Sequence, residues 1–235
     1  MAQTILLFRP DAGAAAFAAG LEARAPGRFR AIAAPPFRIE PVPATIELAG
    51  VQGLAFSSAN AVPAVATQDA RRSLPAWCVG PATAAAALAA GFKAVSAEGD
   101  VAALARLIAA EARPGAGDVL HLRGRHAIGR LAERLRALGV PAREVVVYDQ
   151  PARPLEPAVR RLLAEAGAEV LAFFSPRGAR FFAAEAGSAG WPLGGVTAVS
   201  ISAATDAGLA GLGIGRRVVA ASADRQGMLA AVEEL

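Results

Sequence analysis

The residues with chemical reach are few, and they cluster at turns. The chain holds one cysteine, Cys78, two histidines, His121 and His126, and a single tyrosine, Tyr148. The cysteine and histidines do not fit the usual ligand spacings of a zinc site. There is no Gly-x-Ser-x-Gly elbow and no phosphate loop ending in Gly-Lys-Ser/Thr. Gly211, Gly213 and Gly215 follow a predicted helix and precede a predicted strand, the wrong order for a dinucleotide cradle, so they read as a helix stop. What remains is a set of small polar and arginine-bearing turns: Arg9-Pro10, Ser57 to Asn60, Gly80 to Thr83, Arg123-Gly124, Ser175 to Gly178 and Ser202 to Thr205. Each follows an apolar run and leads into an alanine- or leucine-rich one, the pattern of strand, tight turn and helix. Open α/β sheets place their ligands at such carboxyl-end turns. A helix start offers unpaired N–H groups and the positive end of a dipole, worth roughly 0.3–1 kcal/mol for a bound anion. The chemistry suited to these turns together is the grip of a large polyanion. Helix capping is the competing use of the serines and threonines, and plain surface charge that of Arg9, Arg123 and Arg177.

The elements that must position these turns recur. Trp77 to Ala90 and Val199 to Leu212 share a β-branched run, a small residue, a threonine and an alanine-rich segment. Pairing Thr83 with Thr205 brings Ala55-Phe56-Ser57-Ser58 onto Phe173-Phe174-Ser175-Pro176, Asp100 onto Asp224, and Leu7-Phe8-Arg9-Pro10 onto His121-Leu122-Arg123-Gly124. The chain therefore reads as an internal duplication. Predicted strands fall at 4–8, 53–56, 76–79, 94–95, 119–122, 144–148, 170–174, 196–201 and 217–220. Predicted helices run from about Asp11 to Ala23, over 61–66, 83–90, from Asp100, up to Leu138, and over 158–166, 178–186, 205–212 and 225–234. The helix to Leu138 puts Ile128, Leu131, Leu135 and Leu138 on one side and leaves Arg130, Glu133 and Arg134 to solvent. Phe173, Phe174, Phe181, Phe182 and Trp191 read as core.

Strand and helix alternation implies an α/β class with parallel sheets. Length suits two domains of about a hundred residues each. Phe29 to Ile39 is extended, Pro41 and Pro43 bar a helix, and Pro151 and Pro154 close the strand at 144–148 in the same way. Two crossings follow, near 33–43 and 145–154, with a discontinuous domain of 1–37 and 152–235 around an inserted domain of 38–151.

Composition narrows the partners. Hydrophobic residues make up 54% and the mean hydropathy is +0.40, but charged residues such as Arg106 and Glu111 interrupt the apolar runs before any span of about twenty forms. The apolar run before Arg9 is too short for a secretory signal, so a cytoplasmic protein with no membrane contact is expected. Cys78 lies in an apolar strand and reads as a small core residue. Lys93 is the only lysine among 24 basic residues, the net charge is +4 and the isoelectric point about 10.4. An arginine fork takes carboxylate or phosphate oxygens two at a time, which points to an anionic partner. Aromatics are 6% and are not interleaved with basic residues, so nucleic acid is not expected.

Leu-Leu-Phe-Arg-Pro at 6–10, Phe-Ser-Ser-Ala-Asn-Ala-Val at 56–62, Val-Gly-Pro-Ala-Thr at 79–83, Leu-Arg-Gly at 122–124, Val-Tyr-Asp at 147–149, Phe-Phe-Ser-Pro-Arg-Gly-Ala-Arg at 173–180 and Ile-Ser-Ala-Ala-Thr at 201–205 together resemble the uroporphyrinogen-III synthase family over nearly the whole chain. The resemblance implies two flavodoxin-like (Rossmann-like) domains joined by a two-stranded linker, an active site in the cleft between them, and no cofactor. It implies hydroxymethylbilane as substrate, a linear tetrapyrrole bearing acetate and propionate groups. Water is lost, the last pyrrole is inverted through a spiro intermediate, and the ring closes as uroporphyrinogen III. Tyr148 matches the family's tyrosine at the linker's edge, either as proton donor to the departing hydroxyl or as a packed residue with its hydroxyl satisfied locally. Thr83 and Thr205 match the family's two cleft threonines. Arg9, Ser57, Ser58, Asn60, Gly80, Arg123, Ser175, Arg177 and Ser202 are the further substrate-binding candidates. Asp206 and Pro176-Arg177-Gly178 depart from the expected pattern. A monomer, with at most transient contact with the preceding pathway enzyme, is expected. The competing readings are a two-lobed α/β binding module for a small polyanion and a catalytically silent relative.

Overall fold

In the computed structural model the described residues are 2–9, 11–66, 73–127 and 129–235, with only the backbone of Asp11 and Ala12. Pro10 and Ile128, two residues named above, lie outside them. The chain divides into one unit of Met1–Arg38 with Pro151–Leu235 and a second of Ile39–Gln150.

Side-chain alternation builds the first unit. In β1 (Gln3–Phe8), Ile5 and Leu7 face one layer while Leu6 and Phe8 face the other, as a strand buried on both faces requires. After β1 come α1 (Asp11–Arg24) and β2 (Phe29–Ala33). The second unit then runs β3 (Glu40–Pro41), β4 (Val51–Phe56), a 3₁₀ turn (Ala59–Ala61), α2 (Pro63–Ala66), β5 (Pro75–Cys78), α3 (Pro81–Ala89), β6 (Lys93–Ser96), α4 (Val101–Glu111), β7 (Asp118–Gly124), α5 (Leu131–Ala137) and β8 (Ala142–Asp149). The chain returns to the first unit with α6 (Pro157–Ala164), β9 (Val170–Phe173), α7 (Pro176–Ala189), β10 (Thr197–Ser200), α8 (Ala203–Ala207), β11 (Arg216–Val219) and α9 (Arg225–Glu233).

The first sheet has the order β11-β10-β9-β1-β2, every pair parallel. Phe17 and Leu21 of α1 and Met228 and Val232 of α9 cover one face; Val159 and Leu163 of α6 and Phe182 and Ala186 of α7 cover the other. The second sheet has the order β3-β8-β7-β4-β5-β6, parallel except for the edge strand β3. Leu104 and Ile108 of α4 and Leu131 and Leu135 of α5 cover one face, and Ala84 and Ala87 of α3 with Val62 and Val65 the other. Setting β3 aside, both sheets carry the 2-1-3-4-5 order of one doubly wound topology if β7 and β8 stand for β1 and β2.

The stretches between the units are paired by their backbones. Within the first, Arg38 N–H donates to Pro151 O at 3.2 Å and Arg153 N–H to Pro36 O at 3.0 Å, around an antiparallel bridge of Phe37 with Ala152. Within the second, Glu40 pairs with Asp149 and Pro41 with Tyr148.

Strand register corrects the repeat alignment by one residue. Ala55 pairs with His121 and Phe56 with Cys78, whereas Leu7 pairs with Ala172 and Phe173 with Ser200. Ala55-Phe56-Ser57-Ser58 therefore answers Ala172-Phe173-Phe174-Ser175, and Ser175 corresponds to Ser58. Three helices also differ from expectation. α5 begins only at Leu131, after Gly129 and Arg130 at positive φ, and Leu138 is 51% exposed because the helix has already ended. α8 stops at Ala207, where Gly208 and then Gly211 at φ 80° end the turn. The stretch at 61–66 begins as a 3₁₀ turn, with only Pro63–Ala66 helical. Cys78 is fully buried, and burial pushes its thiol up to about 11, which suits an unreactive core residue.

Candidate functional site

Ser58, Ser175 and Ser202 are spent on the helical turns they open. Ser175 Oγ caps α7, accepting from Gly178 N–H at 3.1 Å. Ser202 Oγ caps α8, accepting from Thr205 N–H at 3.3 Å and lying 3.1 Å from Thr205 Oγ1. Ser58 Oγ caps the 3₁₀ turn through Asn60 N–H at 3.3 Å. Gly80 caps α3 with extended backbone and no side chain. The expected capping by threonine is thus overturned: Thr83 and Thr205 are the third residues of their helices, and both are buried. The polar atom at each cap comes from the residue three positions earlier, or is missing where that residue is glycine.

Carboxyl-edge placement gathers these residues into two sets. Ser57, Ser58, Asn60, Gly80, Thr83, Arg123 and Tyr148 lie at the ends of β4, β5, β7 and β8 in the second sheet. Arg9, Ser175, Arg177, Ser202 and Thr205 follow β1, β9 and β10 in the first.

The three arginines are not equivalent clamps. Arg9 carries its guanidinium 4.4 Å over the Phe174 ring, close against Gly13. Burial, then the charge of Arg225, lowers its pKa, and its Nε has no hydrogen-bond partner among the described residues. Arg177 stacks 4.9 Å from Phe181 and 5.5 Å from Phe37. Arg123 is engaged inward: Nε donates to Glu144 Oε2 at 3.0 Å, and Nη1 to Gly124 O at 3.0 Å and Arg125 O at 3.3 Å. Its turn does not open a helix, since α5 starts only at Leu131. Asp206, the departure noted above, meets Arg217 at 3.6 Å.

Tyr148 is buried at the end of β8 in the core beside Leu122 and Val147. Its carbonyl accepts from Arg125 N–H at 3.0 Å. A Cβ on Gly124 would stand 2.5 Å from Tyr148 Cζ, so only glycine leaves the ring its place.

One cluster escaped the reading of the sequence. His121, in the middle of β7, is 2% exposed. Its Nε2 lies 2.8 Å from Ser57 Oγ and its Nδ1 3.2 Å from Glu144 Oε1. Its signal in the sequence is a histidine inside the apolar run Val119 to Leu122. Its partners are set by strand order, which local pattern does not give. Among the described residues no group of three His, Cys, Asp or Glu side chains is placed to hold a metal ion, and no helix is long and apolar enough to cross a membrane.

A family model described as uroporphyrinogen-III synthase HemD matches residues 15–230. The chain belongs to the uroporphyrinogen-III synthase family. Its function is accordingly in tetrapyrrole biosynthesis, as the hydroxymethylbilane-cyclising lyase. The crystal structure of uroporphyrinogen-III synthetase from Helicobacter pylori is similar with a TM-score of 0.68 at 17% identity, over 100% of this chain and 99% of that one. A mutant uroporphyrinogen III synthase from Thermus thermophilus is similar with a TM-score of 0.50 at 16% identity, over 99% of this chain and 98% of that one. At such identities the likeness speaks for the fold, a mixed α/β architecture with parallel sheets. No curated protein matches the sequence significantly.

Proposed function

We propose that the carboxyl-edge turns of both sheets hold hydroxymethylbilane while Tyr148 serves its leaving group. The observation that carries this is the placement of every candidate residue on the carboxyl edge of a sheet, with the two sheets sharing one strand order. The common order, the paired caps Asp100 and Asp224 and the paired third positions Thr83 and Thr205 support an internal duplication. The backbone-paired crossings support a two-stranded linker.

Hydroxymethylbilane closes without inversion when nothing restrains it, so an enzyme must enforce the inverted geometry. Positioning of reacting groups contributes about 7–11 kcal/mol in favourable cases. Arg9 and Arg177, each set over aromatic rings, are the guanidinium groups suited to propionate or acetate, and Thr83, Thr205 and Asn60 add neutral contacts. Tyr148 donates its proton to the departing hydroxyl, which leaves as water. The protein is read as a cytoplasmic monomer that meets the preceding pathway enzyme only in transient contact. Incubation with hydroxymethylbilane, followed by oxidation and separation of isomers, tests the assignment: type III product is expected, and type I alone would refute it.

A further inference from the structure

Ser57, His121 and Glu144 form a hydrogen-bonded chain with its own logic. His121 is in register with Ala55 on β4 and with Glu144 on β8, so β7, β8 and the turn that follows β4 supply the three side chains. Ser57 Oγ and His121 Nε2 are 2.8 Å apart, His121 Nδ1 and Glu144 Oε1 3.2 Å, and Arg123 Nε holds Glu144 Oε2 at 3.0 Å. The charged groups acting on His121 are Glu144 and Arg123. The helices over that face, α4 and α5, bring Leu104, Ile108, Leu131 and Leu135.

The protons are placed by what each group can do. A carboxylate bound by arginine only accepts, so His121 Nδ1 carries the hydrogen. Burial, and secondarily Arg123, hold the imidazole below the ordinary histidine pKa against the opposing pull of Glu144. The neutral ring then presents a lone pair at Nε2, and the Ser57 hydroxyl donates to it. Ser57 has only lone pairs left to offer a ligand. A carboxylate would find no donor there, whereas an N–H group would find an acceptor.

The fold itself does not demand this chain. In the first unit the equivalent positions of Ser57, His121 and Glu144 hold Phe174, Leu7 and Ala33, with Arg9 stacked on Phe174. An apolar set fills that place without the cost of burying polar groups.

We propose that Ser57 accepts a pyrrole N–H of hydroxymethylbilane, and that His121, a positioning residue backed by Glu144, takes up the Ser57 proton when that N–H is lost. This rests on the reading that the turn after β4 meets the substrate. The N–H bond of the terminal pyrrole breaks and its electron pair forms a C=N bond. The ring electrons shift to the exocyclic carbon as the C–O bond breaks, and the oxygen leaves with that pair. The pyrrole proton passes to Ser57 Oγ as the Ser57 proton passes to His121 Nε2, and the imidazolium so formed faces Glu144. The leaving oxygen takes its proton from Tyr148, which the C–H proton released at ring closure restores. When the exocyclic carbon is attacked, the ring nitrogen regains its proton by the reverse path, so the net change is loss of one water.

Two measurements decide it. The ¹⁵N shifts of the imidazoles, read from pH 5 to 9 with a His126→Gln variant to assign them, should show His121 neutral at pH 7 with hydrogen on Nδ1. Hydrogen on Nε2, or a charged ring at pH 7, overturns the proposal whatever the activity. Ser57→Ala and His121→Gln should each lower kcat for type III formation about 10²-fold while KM moves less than about threefold. The double variant should be no worse than either single, and His121→Gln should lose the acid limb of the kcat profile, the fall in rate as pH drops through the His121 pKa. His126→Gln should keep wild-type kcat. Losses that multiply, or a His121→Gln enzyme with full kcat and an unchanged pH profile, overturn the proposal. Wild-type protein that makes no type III isomer would instead overturn the functional reading, and should His121→Gln fail to fold, the imidazole shifts of the wild type still decide.

Discussion

Replacing Gly124 by alanine tests the placement of Tyr148 without altering the phenol. The added Cβ would stand 2.5 Å from Tyr148 Cζ, 2.6 Å from Cε2 and 2.8 Å from Oη. Non-bonded carbons settle at about 3.5–4.0 Å, so relief requires the ring to shift by roughly 1 Å. The backbone has little freedom to follow, because Tyr148 O accepts from Arg125 N–H and Tyr148 pairs with Pro41 across the edge strand. Overpacking of this kind costs about 1–3 kcal/mol of stability. A displacement of about 1 Å at a reacting group costs on the order of 10² in rate. Gly124→Ala is therefore expected to fold with a lowered Tm and to form type III product about 10²-fold more slowly at saturating substrate. Tyr148→Phe should lose turnover while leaving Tm nearly unmoved, and adding Gly124→Ala to it should slow the reaction no further. A Gly124→Ala enzyme that turns over within threefold of wild type would refute the role given to the Tyr148 hydroxyl.

Other substitutions probe the frame. Ser175→Ala removes the cap of α7 and should lower unfolding free energy by about 1 kcal/mol in urea titration. Phe182→Ala should lose about 3–5 kcal/mol, since that ring meets Phe8, Phe173 and Trp191 at centroid distances of 4.8, 5.1 and 6.0 Å. The carboxyls of Asp100 and Asp224 are held below the ordinary carboxylate range chiefly by N–H donors of the helices they cap, Ala103 and Gly227 respectively. Their contribution to stability is full above the unfolded carboxylate pKa and is lost as pH falls through the depressed folded values. An Asp100→Asn, Asp224→Asn double variant should therefore show a flatter fall in urea midpoint from pH 5 to pH 2 than wild type.

Local signals were enough for most elements. Apolar runs bounded by small residues mark β1, β4, β7 and β9, and Asp100 and Asp224 announce the helices they cap. The site was harder to read, because it depends on register. A one-residue slip between β4 and β9 carries a capping serine onto Ser57, whose hydroxyl faces His121 instead. The partners of His121 lie far from it in the chain and meet it only after β4, β7 and β8 have docked side by side. Nor does local pattern show that Arg123 pairs with Glu144 on the neighbouring strand, since an arginine at a strand end looks alike whether it faces solvent or a carboxylate of its own sheet. The late start of α5 has the same origin: Leu131 and Leu135 keep the helical period, while the positive φ of Arg130 breaks it upstream.

The backbone bonds between Arg38 and Pro151 and between Arg153 and Pro36 make residues 39–150 a cassette whose two ends arrive side by side. For the surrounding unit, such an insert is the equivalent of a short surface connection, because its ends are already joined at the root and closure entropy depends only weakly on the length between them. A brief glycine-serine bridge from Phe37 to Ala152 should then leave β1, β2 and α6 to α9 able to fold without it, and domain exchange between relatives has a natural seam where the chain passes from Arg38 to Ile39 and from Gln150 to Pro151.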